Sequence, residues 1–153
     1  MQVINGNCID ELPKIQSNSV DLVYLDPPFF TQKVHTLKTK DNLKEYSFSD
    51  EWTSLDEYLS FMKKCITECK RALKTTGSIF LHCDTSASHH LRILLDQIFG
   101  SDNFQGEIIW AYRRWSNSKR GLLGAHQNIL FYSKTANFKF NKLYSDYSPT
   151  TNL

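Results

Sequence analysis

Glycine is scarce in this chain and never clustered. The six glycines among 153 residues are Gly6, Gly77, Gly100, Gly106, Gly121 and Gly124. None forms a glycine-rich loop between a strand and a helix, the usual cradle for a nucleotide-like cofactor. The four cysteines, Cys8, Cys65, Cys69 and Cys83, contain no CxxC pair, and no histidine spacing suggests zinc. No metal is therefore expected, and the thiols read as reduced and buried in a cytoplasmic protein. No apolar run reaches membrane-spanning length, and the N-terminus has no signal-peptide pattern, so no membrane partner is expected. No internal repeat is visible. The net charge of +2 is too small to name a partner.

What is present is a single domain's worth of chain with 41% hydrophobic and 22% charged residues, ordinary values for a globular protein. Charge is unevenly spread. Between Gln105 and Lys142, Arg113, Arg114, Lys119, Arg120, Lys134, Lys139 and Lys142 face Glu107 alone. The first thirty residues are acidic on balance. A basic region of this kind suits a polyanion, and a plain solvated face has the same composition.

Periodicity gives the elements. Gln2 to Asn5 is a short β-prone start, and Cys8 to Ile15 a short helix. Val20 to Leu25 is a continuous apolar run with one early acid, the pattern of a strand covered on both faces. Pro27 and Pro28 end it, since neither can donate to a sheet ladder. Phe30 to Thr53 is long, polar and weakly periodic, and reads as a functional loop. Ser54 with Glu57 three residues on opens a helix whose apolar positions are Leu55, Tyr58, Leu59, Met62, Ile66, Cys69 and Leu73. Thr75-Thr76-Gly77 closes it. Ser78 to Cys83 is a second buried strand, and Ser86 to Phe99 a second amphipathic helix with Gly100 past its end. Phe104 to Tyr112 and His126 to Ser133 are further strands, joined by a basic loop. Residues 144–153 form an irregular tail beyond a domain of residues 1–143. Alternation of this kind predicts an α/β fold with a mostly parallel sheet, and ligands at the carboxyl ends of its strands. Asp26 and Asp84 both lie at such ends.

Asp26-Pro27-Pro28-Phe29 carries the chemistry. A strand that stops at an acid, two prolines and an aromatic ring makes a rigid mouth with acceptors and a stacking surface. Taken alone, the tetrapeptide is equally a capped turn with Phe29 in the core. Its company decides otherwise. Ile4-Asn5-Gly6-Asn7-Cys8, Asp26-Pro27-Pro28-Phe29, Gly77 to Asp84 and His126 to Lys134 occur in the order found in one family, and Arg92 to Tyr112 fits between them. The chain resembles the N-terminal part of a site-specific DNA amino-methyltransferase of the permuted β class, most closely the adenine-N6 enzymes of restriction-modification systems.

The resemblance implies a Rossmann-like fold that binds S-adenosylmethionine and acts on double-stranded DNA. Asp26, Pro27, Pro28 and Phe29 would be catalytic. Asn7, Cys8, Ile9 and Asp26 would touch the cofactor, although many relatives have Asp where Asn7 stands. Arg113, Arg114, Lys119, Arg120 and His126 would meet DNA. An aspartate carboxylate is too weak a base to deprotonate a neutral amine. It can orient the exocyclic amine and stabilise the cation that develops there. The resemblance also implies that the cofactor's glycine loop and two central strands lie in a downstream half, so the fold is incomplete. The isolated chain would then be a truncated or split form, marginal in stability and weak in cofactor binding. An inactive DNA- or partner-binding remnant and a cytosine-N4 enzyme are the alternatives.

Overall fold

A computed structural model describes residues 2–113 and 120–144. The elements run α1 (Cys8–Glu11), a 3-10 turn (Leu12–Lys14), β1 (Val20–Leu25), β2 (Val34–Lys38), β3 (Glu45–Ser49), α2 (Leu55–Ala72), β4 (Leu73–Cys83), α3 (Ser88–Phe99), β5 (Phe104–Ala111) and β6 (His126–Ser133). β1, β4, β6 and β5 form one sheet in that order, and β2 pairs with β3 separately. β1 and β4 are parallel, whereas β4–β6 and β6–β5 are antiparallel. The sheet is thus mixed where a mostly parallel one is expected. The two crossover helices precede and follow β4, and β5 returns to β6 directly.

The sheet packs one face on α2 and α3. Tyr58, Met62 and Ile66 from the α2 stripe are fully buried, as are Leu91 and Leu95 from α3, against Leu73, Ile79, Leu81, Leu130 and Tyr132 of the sheet. Burial of each such side chain contributes roughly 1.5–3 kcal/mol. Ser54 caps α2 by accepting from the Glu57 N–H at 3.1 Å. Glu57 reaches back to Thr53 rather than Ser54, taking its N–H at 2.8 Å and its hydroxyl at 2.6 Å.

Several elements depart from expectation. Gln2 to Asn5 forms no strand. Val3 is 81% exposed, and among the described residues no strand pairs with this segment. α2 stops at Ala72, and Thr75-Thr76-Gly77 belongs to β4, which is longer than its apolar run. Gly77 is needed there, since an added Cβ would sit 3.0 Å from the Lys74 carbonyl oxygen and 3.1 Å from that of Asp21. Residues 30–53 are not an irregular loop but hold the β2–β3 hairpin. β1 is not covered on both faces. Leu22 and Tyr24 are half exposed, and the far edge of β1 has no strand beside it among the described residues. The face of the sheet opposite the helices presents Leu22, Tyr24, Phe80, His82, Phe131 and Trp110, with Phe80 stacked on Phe131 at 4.4 Å.

Candidate active site

Because β1 and β4 run in parallel, their carboxyl ends coincide, and Leu25 pairs with Leu81. The next residue of each strand brings Asp26 beside His82. Asp26 Oδ1 lies 3.1 Å from His82 Nδ1. The other ring nitrogen, Nε2, is 2.9 Å from Gln127 Oε1 on β6.

The turn after Asp26 is held from two sides. Tyr58, fully buried on α2, donates its hydroxyl to the Pro28 carbonyl at 3.0 Å. Burial pushes the Tyr58 phenol well above its ordinary value, so it stays protonated and keeps the hydrogen it donates. On the other side stands Asp50, 1% exposed, at the end of β3. Its carboxylate accepts the N–H groups of Phe29 (3.1 Å), Phe30 (3.0 Å) and Thr31 (2.7 Å). It also accepts the Thr31 hydroxyl at 2.7 Å and the Trp52 indole N–H at 3.1 Å. Burial alone would raise the Asp50 pKa, but the hydrogen bonds from Thr31, Trp52 and Phe30 outweigh it and hold the carboxyl below its ordinary range. Two non-glycine residues here, Phe30 at φ 62° and Gln32 at φ 56°, sit in the left-handed region. Such conformations cost of order 1–3 kcal/mol each and persist only where neighbours impose them. Asp50 imposes them.

Two clefts flank Asp26. One, of about 520 Å³, is lined by Asp26, Pro27, Pro28 and Phe29, by Thr31, His35 and Phe48 of the hairpin region, and by Asp50, Asp84 and Gln127. The hairpin wall is braced by His35, which stacks on Phe48 at 4.9 Å and pairs with the Thr31 hydroxyl at 2.9 Å. The second cleft, of about 230 Å³, is nearly all apolar. Cys8, Leu12, Leu25, Phe61, Met62 and Cys65 enclose it with Asp26, Pro27 and Pro28. Asp26-Pro27-Pro28 is therefore a partition with a cleft on each side. The prolines suit that role, since their fixed φ makes the partition stiff.

The structure brings Asp26, Pro27, Pro28 and Phe29 together, with Cys8 on the apolar side. Phe29 lies edge-on to His82 at 5.1 Å. Asn7 caps the short helix α1 by accepting from the Ile9 N–H at 3.1 Å. Ile9 lines a separate surface groove with Lys63 and Thr67. Arg113 is exposed just beyond β5, Arg120 is exposed before β6, and His126 opens β6 opposite Ala111. Gln127 and Trp110, at the same end of this hairpin, reach the cleft and His82 respectively. Arg114, Lys119 and the tail from residue 145 lie outside the described residues. No cluster that could hold a metal ion occurs among the described residues, nor any helix long and apolar enough to cross a membrane.

Asp50, Tyr58, His82, His35 and Gln127 were not singled out by the sequence pattern. His82 had a signal, as the one polar side chain inside the apolar run Ile79 to Cys83. Asp50 had almost none, because its partners lie some twenty residues earlier.

This α/β fold is shared with solved methyltransferases. M1.HpyAVI, solved as a complex with SAM, superposes with a TM-score of 0.59 at 13% identity, over 96% of this chain and 62% of that one. The cytosine-N4-specific PvuII DNA methyltransferase superposes with a TM-score of 0.57 at 17% identity, over 87% and 48%. The chain belongs to the N6/N4 DNA methylase family, whose model matches residues 20–151. The type II methyltransferase M.KpnI of Klebsiella pneumoniae is 35% identical over 132 residues, 86% of this chain and 31% of its own length. M.HpaI of Haemophilus parainfluenzae is 30% identical over 142 residues, 92% of this chain and 41% of its own length. The chain thus spans about a third to two fifths of the length of these two relatives.

Proposed function

We propose that this chain carries the methyl-transfer site of a site-specific DNA methyltransferase that uses S-adenosylmethionine and modifies the N6 amine of adenine. The observation that carries the reading is the shared wall: Asp26, Pro27 and Pro28 line both clefts. A donor in the apolar cleft and a base in the other would meet across Asp26. Family membership and the SAM complex of M1.HpyAVI support this choice of cofactor. S-adenosylmethionine, when bound, would supply a methyl carbon on a positively charged sulfur, which would keep the C–S electron pair and leave as a neutral thioether. The donor set suits it, with Cys8 and the proline rings giving an apolar surface and Asp26 a negative charge at its rim.

The chain's own residues do the rest. An exocyclic amine on an aromatic base is a poor nucleophile because its lone pair is delocalised into the ring. The Asp26 carboxylate and the Pro27 carbonyl accept its two hydrogens and free that lone pair. Asp26 then stabilises the positive charge that forms on nitrogen as the new N–C bond forms, and accepts the proton that nitrogen afterwards releases. The base must leave the duplex to reach the cleft. Phe29 stacks on it there, a contact worth roughly 1–3 kcal/mol. Arg113, Arg114, Lys119, Arg120 and His126 hold the flanking phosphates. The acid at position 26 supports adenine over cytosine. The free edge of β1 supports a downstream segment, carrying the glycine-rich loop, that pairs with it and completes the cofactor site.

The test is tritiated-methyl incorporation into duplex DNA by the enzyme that contains this chain, with Asp26→Ala alongside, followed by nucleoside analysis. N6-methyladenine from the unaltered enzyme and none from the variant is expected. Full incorporation by Asp26→Ala refutes the chemistry, and N4-methylcytosine refutes the base assignment.

A further inference from the structure

We propose that His82 is a positioning residue for methyl transfer, a proton on its Nδ1 fixing the rotamer of the Asp26 carboxylate. The inference rests on the proposed function and goes beyond it, since nothing in that chemistry requires a histidine. The need for such a residue follows from exposure. The Asp26 side chain is 62% exposed, and a carboxylate so placed has several rotamers open to it. A carboxylate free to move among them would not keep an oxygen aimed at a base in the 520 Å³ cleft that Asp26 lines. The Pro27 ring that follows fixes the backbone of residue 26 but not its χ angles.

His82 supplies the missing constraint. Its side chain is only 13% exposed and has little room to turn. Phe29 meets the ring edge-on at 5.1 Å, and the Trp110 ring lies 18° from parallel to it at 6.0 Å. Tyr24 closes the side towards β1 at 6.4 Å. The hydrogen-bond geometry then fixes where a proton must be. The Asp26 carboxylate, 3.1 Å from Nδ1, can only accept while ionised. A bare Nδ1 would set a lone pair against that oxygen, so Nδ1 carries hydrogen. Gln127, 2.9 Å from Nε2, fits this in either orientation of its amide. Its NH2 can donate to a bare Nε2, or its oxygen can accept from a protonated one. In both cases the chain Gln127–His82–Asp26 ends with a donor on the carboxylate oxygen. One Asp26 oxygen is then held by the imidazole and the other is left for the amine.

Two substitutions separate this role from packing. His82→Phe keeps a ring between Phe29 and Trp110 but loses the donor. His82→Asn loses the ring but keeps an N–H that can reach Asp26. In single-turnover methyl transfer by the complete enzyme at saturating DNA, His82→Phe should be slowed about 100-fold, the scale of a misplaced reacting group. His82→Asn should be slowed less, with the KM for DNA little changed in both. Wild-type turnover in His82→Phe, or equal impairment of the two variants, overturns the proposal. A second readout does not depend on activity. Long-range nitrogen–proton NMR of the chain should find His82 Nδ1 protonated, with a resonance that moves in Asp26→Asn. An unprotonated Nδ1, or no response to Asp26→Asn, also overturns it. An unaltered enzyme that methylates no DNA would instead sink the functional reading, and the NMR result would still judge the pairing.

Discussion

Asp50 Oδ2 accepts two hydrogen bonds from Thr31, one from its N–H and one from its hydroxyl, each at 2.7 Å. Residues nineteen apart are thereby locked together at the exit of the Asp26–Phe29 turn, and the backbone N–H groups of Phe29 and Phe30 join the same carboxylate. In Asp50→Asn one acceptor oxygen becomes an NH2 that faces donors. The expected loss of unfolding stability is about 3 kcal/mol, as for a buried charged acceptor deprived of its bonds. Urea unfolding measures it. A loss below about 0.5 kcal/mol would mean that the clamp adds nothing to the fold.

The same carboxylate fixes a pH dependence. Its pKa is held below the ordinary value of 3.8 by the hydrogen bonds that overcome its burial. A group with a depressed folded-state pKa contributes stability that is present above its unfolded pKa and lost as pH falls through the folded one. The clamp should therefore hold at pH 5 and release only below 3.8. Trp52 reports on it directly, since its indole N–H donates to Asp50 Oδ1 at 3.1 Å. An Asp50-dependent change in indole fluorescence, absent from Asp50→Asn, should fall below pH 3.8. A midpoint above pH 5 would contradict the assignment.

How much of this was legible beforehand depends on whether a signal is local. β6 was legible to the residue, His126 to Ser133, because the short β-prone core Ile129 to Tyr132 is flanked by polar residues and is too short for a helix. α2 was legible from its cap at Ser54 and its stripe from Leu55 to Cys69, although it ends at Ala72, before the expected stop. The β2–β3 hairpin was not. Val34, Leu37, Tyr46 and Phe48 are exposed, so the alternation that marks a half-buried strand is blurred. The turn between the strands did leave a trace in Asp41-Asn42, where Asn42 takes φ 56°. The start of β4 was hidden for another reason. Thr75-Thr76-Gly77 has turn composition, yet Gly77 is there because the Lys74 carbonyl of its own strand and the Asp21 carbonyl of β1 leave no room for a side chain. In the site, Asp26 to Phe29 announced themselves by type and order. Asp50 and Tyr58 act on them from afar, through contacts that no sequence window contains.

Gly77→Ala tests the close approach of β1 and β4. The added methyl would lie 2.9 Å from Leu73 Cδ2 and against two backbone oxygens that cannot rotate away. Overpacking of this kind costs typically 1–3 kcal/mol. The Lys134 N–H also bonds the Gly77 carbonyl at 2.9 Å, so the strain should reach the end of β6. Thermal unfolding of the variant should show a clear drop in midpoint. An unchanged midpoint would mean that the strands can separate without cost.

Tyr58→Phe removes one oxygen from a fully buried ring and leaves the Pro28 carbonyl without its donor. The expected stability cost is about 1–2 kcal/mol, a lost hydrogen bond plus an unpaired buried acceptor. The effect on methyl transfer should be larger than the stability loss alone implies, because the partition between the clefts would lose one of its two supports. Turnover measured well below the unfolding midpoint separates the two effects. Stability loss with wild-type turnover would show that the Asp50 clamp alone positions the turn.

The free edge of β1 makes the last prediction. Its outward-facing N–H groups meet no strand among the described residues, while Leu22 and Tyr24 are half exposed. An open, apolar strand edge is an invitation to pairing. If a downstream segment of the enzyme supplies the missing neighbour, β1 amides should exchange with solvent quickly in this chain alone and slowly in the complete enzyme. Amides of β4, already paired on both sides, should change far less. Hydrogen exchange resolved by residue reads both strands in one experiment. Equal protection of β1 in the two forms would mean that no such segment pairs with the strand that ends at Asp26.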